Sequence, residues 1–313
     1  MQTHIKPTHG TLEWLQLRHK DAEGRVRFGA SEAPILAGVS HYRNLVDLAI
    51  AKWDEPEVNE MNEAMKRGHV LEPALITEAS AILGCEVITP NFMYEHERFI
   101  ATLDGVTFDE HGDIDTIIEA KTTTQHSNDD PLPVEFYWQV LAQMFCTGVR
   151  HALVIMLDKR MRIGTYRLER TDDVEADIEW LAATAETVGA MLDAKQLPDI
   201  PMTESQVKSL YPNPAGSIEV GSSGLALLRE WQAAAEARKS VESHEQLLRD
   251  KVAQLLGVFD TGTVDGQPVV SFKARKGSSR LDLKRLEAEH PGLVAGYRVQ
   301  GAPFRVLRML GGA

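Results

Sequence analysis

The 313-residue chain is poor in the groups around which several protein classes are built. Its two cysteines, Cys85 and Cys146, stand apart in apolar surroundings, which excludes a disulfide framework and a cysteine-based zinc site. No run of about 18 apolar residues occurs, so no membrane-spanning helix is expected. Met1–Gly10 lacks the apolar stretch of a secretory leader, and the expectation is a cytoplasmic protein. No Gly-x-x-x-x-Gly-Lys-Ser/Thr loop is present to cradle nucleotide phosphates, which argues against ATP hydrolysis. The histidines lack the spacing of zinc ligands, and Ser31 lacks the Gly-x-Ser-x-Gly context of a hydrolase nucleophile. Aromatic residues make up only 6% of the chain and read mainly as core, with Trp14 the best placed to stack on or wedge a base.

Positive charge is also scarce overall, with a net charge of −13, which ordinarily counts against nucleic-acid binding. The distribution is uneven, however. Residues 273–308 carry nine Lys and Arg against three acids, whereas residues 169–186 are strongly acidic and read as a solvated helix face.

The hydrophobic pattern predicts helices near 13–17, 44–53, 59–83, 135–147 and 173–194, with Pro73 expected to kink or restart the third. It predicts strands over 86–89, 98–108 and 114–121, read as a β-meander, then over 151–157 and 163–169. Residues 1–200 thus form one expected domain. The Pro, Gly and Ser content of 201–224 predicts a linker, and 225–313 reads as a long helix followed by a hairpin at Asp265-Gly266, a basic helix and a strand over 297–307.

Chemistry is concentrated in Ile117-Ile118-Glu119-Ala120-Lys121. Alternate strand residues share a face, so Glu119 and Lys121 project together while Ile118 and Ala120 face the other way. Asp104, on an upstream strand expected to pair with this one, supplies a second carboxylate, and two such groups suit one hard cation. Asp115 is the main rival ligand. The resulting Asp-(x14)-Glu-x-Lys pattern resembles that of the PD-(D/E)xK nuclease superfamily. Its wider context is ordered: Trp14-Leu15-Gln16-Leu17-Arg18, Gly29-Ala30-Ser31-Glu32-Ala33, Arg67-Gly68-His69-Val70-Leu71-Glu72-Pro73, Leu103-Asp104-Gly105, Glu119-Ala120-Lys121-Thr122 and Tyr137-Trp138-Gln139-Val140. Over about residues 12–200 this set resembles the YqaJ-like viral recombinase family, which includes phage lambda exonuclease. Thr102-Leu103-Asp104-Gly105 stands where the family usually has Ser-Pro-Asp-Gly, and the acid is retained.

The resemblance implies an α/β fold with an αβββαβ core of restriction-endonuclease type, added N-terminal helices, and a C-terminal helix with a small β appendage. It implies a Mg²⁺-dependent double-strand DNA exonuclease, with Mn²⁺ a substitute, that degrades one strand 5′ to 3′ and leaves single-strand tails. Asp104, Glu119 and the Ala120 carbonyl would hold the metal. Glu72 would meet a second one directly or through water. Lys121 would act either as a base or as an electrostatic stabiliser, and Gln139 would position Lys121 or a phosphate. Trp14, Ser31 and one of Arg18, Arg25 and Arg27 would meet the DNA end and its 5′-phosphate. Further implications are a ring-shaped homotrimer around duplex, a single-strand annealing protein as partner, and a phage or prophage origin in a bacterial host. An endonuclease of the same superfamily and a noncatalytic DNA-binding scaffold are the competing readings.

Overall fold

A computed structural model describes residues 2–58, 60–277, 279–301, 304–308 and 310, and among them no helix is long and apolar enough to cross a membrane. The chain divides into two units, residues 1–210 and 211–313. The first contains β1 (Gln2–Ile5), α1 (Leu12–Leu17), β2 (Phe28–Gly29), a 3₁₀ turn (Ala30–Glu32), α2 (Ala33–Leu36), α3 (Leu45–Trp53) and α4 (Glu63–Leu83). There follow β3 (Phe92–His96), β4 (Phe99–Thr102), β5 (Gly105–Phe108), β6 (Ile114–Thr122), α5 (Val134–Thr147), β7 (His151–Leu157), β8 (Ile163–Glu169), α6 (Asp172–Asp193) and α7 (Glu204–Leu210). The second unit holds α8 (Gly221–Leu256), the hairpin β9 (Thr261–Val264) and β10 (Gln267–Ser271), α9 (Leu283–Glu289) and α10 (Pro291–Gly296).

Local chemistry sets these boundaries. Asn44 caps α3 by accepting from the amides of Val46 and Asp47, and Asp47 accepts from the Asn44 amide in return. Gly84 and Gly148 take positive φ and end α4 and α5. Helix α4 runs through Pro73 without restarting. The described residues of 297–308 form no strand, so the expected final strand is not present in them; residues 302 and 303 lie outside the described set.

The first unit has two four-stranded sheets, ordered β1-β3-β4-β2 and β5-β6-β7-β8. The mixed α/β class expected from the pattern is therefore what the chain adopts. In the second sheet β6 runs parallel to β7 and antiparallel to β5. Helices cover both faces. Ile118, Leu153 and Ile155 pack with Leu75, Ile76 and Ala79 of α4, while Ile117 and Val154 join the larger core with Val140, Leu141 and Met144 of α5.

The expected single strand over 98–108 is two. The chain leaves the first sheet after Thr102 and enters the second at Gly105, so Leu103 and Asp104 form the corner. The expected strand 86–89 contributes only an isolated bridge between Ile88 and Val106. Gly105 is required by close packing: a Cβ there would lie 2.5 Å from Val87 Cγ1 and 3.2 Å from Ile76 Cδ1. Gly105→Ala is expected to lower stability by about 1–3 kcal/mol, read as a reduced urea midpoint with an unchanged slope.

The stretch expected as a linker from 201 to 224 is ordered in part. Gln206 of α7 is buried and donates to the Asn44 and Asp47 side chains, which ties the helix to the α3 cap. Composition registered the prolines around it but not this pairing across the sequence.

Candidate active site

Strand parity builds the centre of the site. On β6, Glu119 and Lys121 fall on the Ile117 side, toward α5, while Ala120 packs with the α4 cluster. On α5, Phe136, Gln139 and Gln143 recur at helical spacing on one face. The two faces meet. Lys121 Nζ lies 2.6 Å from Glu119 Oε1 and donates to Gln139 Oε1 at 3.0 Å, and it sits 5.2 Å from the Phe136 ring centroid. Gln139 Nε2 donates to Glu119 Oε1 at 2.6 Å. Gln143 Nε2 donates to Glu119 Oε2 at 2.5 Å and to the Thr102 carbonyl at 3.3 Å. Both Glu119 oxygens are thus held, and the residue is 4% exposed.

Asp104 enters from the corner between the sheets. Its Oδ2 accepts from the Ala120 amide at 2.9 Å, continuing the β5–β6 ladder past its last backbone pair. Burial pushes its carboxyl well above the usual range, and the charges of Glu119 and then Glu72 add to this against the pull of Lys121. Burial alone would discharge Lys121, but Glu119 and Asp104 outweigh it and raise the ammonium above its ordinary value. Glu72 acts on both groups from α4, which also passes close to the end of β6: a Cβ on Gly68 would lie 3.9 Å from Thr122 Oγ1.

The structure therefore brings Asp104, Glu119, Lys121 and Gln139 together, with Glu72 within electrostatic reach. Asp115 is exposed at the far end of β6, beside His151. Sequence reasoning missed Gln143. Its spacing of four from Gln139 is the available signal, but a glutamine within an apolar helix pattern gives no sign of its partner.

The N-terminal candidates separate into two kinds. Arg25 pairs with Asp21 at 2.7 Å. Arg27 is 4% exposed, pairs with Glu95 at 2.5 Å and donates to the Leu17 carbonyl at 2.6 Å, which corrects its assignment as a phosphate ligand. Arg27→Gln is expected to cost about 2–3 kcal/mol of stability by leaving the half-buried Glu95 carboxylate with only His4 beside it and by opening the Leu17 carbonyl, measured by chemical unfolding. Trp14 is also corrected. It is 7% exposed and packs with Met93 and Ile100, so it presents no wedge to a duplex. Instead its ring supports Arg18, whose Cζ lies 4.2 Å from the ring centroid.

Arg18 donates to Ser31 Oγ at 2.7 Å, and its guanidinium lies against Gly29, where a Cβ would approach Nη2 to 2.0 Å. Among the described residues no carboxylate forms an ion pair with it within 4 Å; burial lowers its pKa from the ordinary value, and the charge of Glu32 opposes this in part. Arg18 and Ser31 open on a cavity of about 1150 Å³ that also reaches Lys52, Gln125, Phe136 and Gln139. Glu72, Asp104 and Glu119 are not among its lining residues, whereas Glu32, Asp54, Glu55, Glu57 and Glu135 are. Gln139 and Phe136, which touch Lys121, connect it to the acidic cluster.

The donor set fits a hard divalent cation. Among the described residues no three acidic, His or Cys side chains form a ready cage. Magnesium, however, is commonly held by one or two carboxylates, with water and substrate phosphate completing the shell. Asp104 and Glu119 meet that requirement.

The model of the YqaJ-like viral recombinase domain matches residues 13–150. Among solved structures, an alkaline exonuclease from Laribacter hongkongensis aligns at 25% identity and a TM-score of 0.46, covering 59% of this chain and 96% of that one. A phage-related exonuclease from Haemophilus somnus 129PT aligns at 13% identity and a TM-score of 0.43, covering 55% and 96%. No curated protein matches the chain. The matched segment, residues 13–150, holds Asp104, Glu119, Lys121 and Gln139, and in it the chain is similar to the YqaJ-like viral recombinase domain.

Proposed function

We propose that the chain is a metal-dependent double-strand DNA exonuclease that degrades one strand 5′ to 3′. The observation that carries this reading is the convergence of Asp104, Glu119, Lys121 and Gln139 at one end of β6, beside a cavity headed by Arg18 and Ser31. Asp104, Glu119 and the Ala120 carbonyl would hold Mg²⁺, or Mn²⁺ in its place. The cation would lower the pKa of a bound water and offset charge on the phosphoryl group. Glu72 would meet a second cation directly or through water.

The remaining chemistry belongs to the side chains. Hydrolysis of a phosphodiester places negative charge on the phosphoryl oxygens, and a fixed ammonium there costs no reorganisation. Lys121 meets this need in its charged form, aimed by Glu119 and Gln139. Arg18, backed by Trp14 and paired with Ser31, is the arginine left available for a terminal phosphate, since Arg25 and Arg27 already hold carboxylates. The family resemblance adds a ring-shaped trimer, a single-strand annealing partner and a phage-type recombination role.

Linear duplexes with 5′-phosphate or 5′-hydroxyl ends and a covalently closed circle, each with and without Mg²⁺, test the proposal. Linear DNA shortens only with Mg²⁺, fastest from the 5′-phosphate, and the closed circle survives. Cutting of the circle would replace the exonuclease by an endonuclease, and no cleavage of any substrate would remove the nuclease altogether.

A further inference from the structure

Charge divides between the two units more sharply than the total suggests. Residues 1–210 carry 19 Lys and Arg against 35 acids, whereas residues 211–313 carry 14 against 11. The positive excess of the second unit lies after its hairpin. Helix α8 neutralises its own charges through i,i+4 pairs such as Arg238–Glu242 and Arg249–Glu245. Beyond β10, Lys273, Arg275, Lys276, Arg280 and Lys284 are exposed, and among the described residues none has a carboxylate partner. The acids nearby are engaged elsewhere: Asp282 caps α9, Glu289 pairs with Arg285, and Glu287 pairs with Arg298.

We infer that residues 273–285 are a sequence-independent docking surface for the phosphate backbone of duplex DNA. Four features favour this occupant. Among the described residues these cations, apart from Arg285 with its Glu289 partner, have no carboxylate pair, so binding a polyanion through Lys273, Arg275, Lys276, Arg280 and Lys284 breaks no ion pair. From Lys273 to Arg280 the residues other than the four cations are Ala, Gly and Ser, so this stretch carries no apolar face of the kind a membrane-bound helix needs, and exposed apolar side chains enter only after it, at Leu281 and Leu283. Between β10 and α9 the described residues belong to no helix or strand, and 11 residues reach at most ~36 Å, about one duplex turn. A line of cations on such a chain matches a line of phosphates, whose counterions are released on contact. Finally, a nuclease unit with so large an acidic excess gains little nonspecific hold on DNA from its overall charge. The last feature alone rests on the proposed function.

The test uses the full chain in EDTA, so that no cleavage accompanies binding, and an end-capped duplex, so that no free terminus is offered. Anisotropy is followed against salt for the parent and for the variant Lys273→Gln/Arg275→Gln/Lys276→Gln/Arg280→Gln. The variant is expected to bind about tenfold or more weakly near 0.1 M salt, with the slope of log K against log salt shallower by about 3–4. Unchanged affinity and slope would overturn the inference. So would poly-glutamate binding the parent as tightly as duplex at equal charge, which would assign an acidic polypeptide instead. Thermal melting verifies the fold of the variant, whose replaced side chains are all exposed. Cleavage of linear DNA with Mg²⁺ is scored separately, so a failed nuclease and a failed docking surface give different results.

Discussion

Asp104→Asn lowers the hydrolysis rate at least ~10³-fold, equivalent to ~4 kcal/mol of barrier, while leaving the protein as stable as before or more so. The two halves of this result have one cause. Asparagine is isosteric, and its side-chain oxygen can still accept from the Ala120 amide, so the corner between the sheets is kept. What is lost is a carboxylate facing Glu119 and Glu72. A carboxyl whose folded pKa lies above its unfolded value costs stability once it is forced to ionise, because the unfolded chain releases the proton more readily. Removing that carboxyl relieves the cost at neutral pH. A residue that weakens the fold and is indispensable to turnover is the expected signature of a functional site. Single-turnover cleavage of linear duplex, paired with urea unfolding of the same preparations, reads both halves. Asp115→Asn, at the exposed end of β6, is the matched control and leaves the rate unchanged. Activity retained in Asp104→Asn would remove Asp104 from the reaction.

The parts of this site legible in the sequence are those fixed by local periodicity. Strand alternation placed Glu119 and Lys121 on one face, and the apolar run of 151–157 marked the buried strand that β6 pairs with, because a strand covered on both sides needs no polar alternation. Long-range pairings were not legible. Arg27 looks like any basic residue near the N-terminus until Glu95, 68 positions later, is brought beside it. Trp14 carries the family's spacing, yet its burial depends on Met93 and Ile100 from strands far along the chain. The segment 98–108 reads as one strand since its composition is continuous. The break at Leu103-Asp104 follows from a change of sheet, which no local pattern encodes. That break matters to the proposed site, because it brings the Asp104 carboxyl to β6, where it accepts from the Ala120 amide.

Lys121→Met is expected to produce a different signature from Asp104→Asn. Methionine has a similar length and can keep the apolar contact with Phe136, but it removes the ammonium that lies 2.6 Å from Glu119. Among the described residues no other cation pairs with Glu119, which retains only the amide donors of Gln139 and Gln143. Breaking a buried pair by deleting one member costs about 3–5 kcal/mol, since the remaining charge is left without compensation. Turnover falls by ~10²-fold or more through loss of a charge aimed at the phosphoryl oxygens. Rate and stability therefore fall together. The double variant Lys121→Met/Glu119→Gln separates the two effects. It recovers most of the stability, because the substituted amide is neutral and still hydrogen-bonds to α5, but it recovers no activity. Such recovery, read as a coupling energy in a double-mutant cycle, is what a charge pair maintained for catalysis produces. Equal and additive losses of stability in the two single variants would mean that Glu119 and Lys121 are not coupled, and that the lysine is held in place by packing alone.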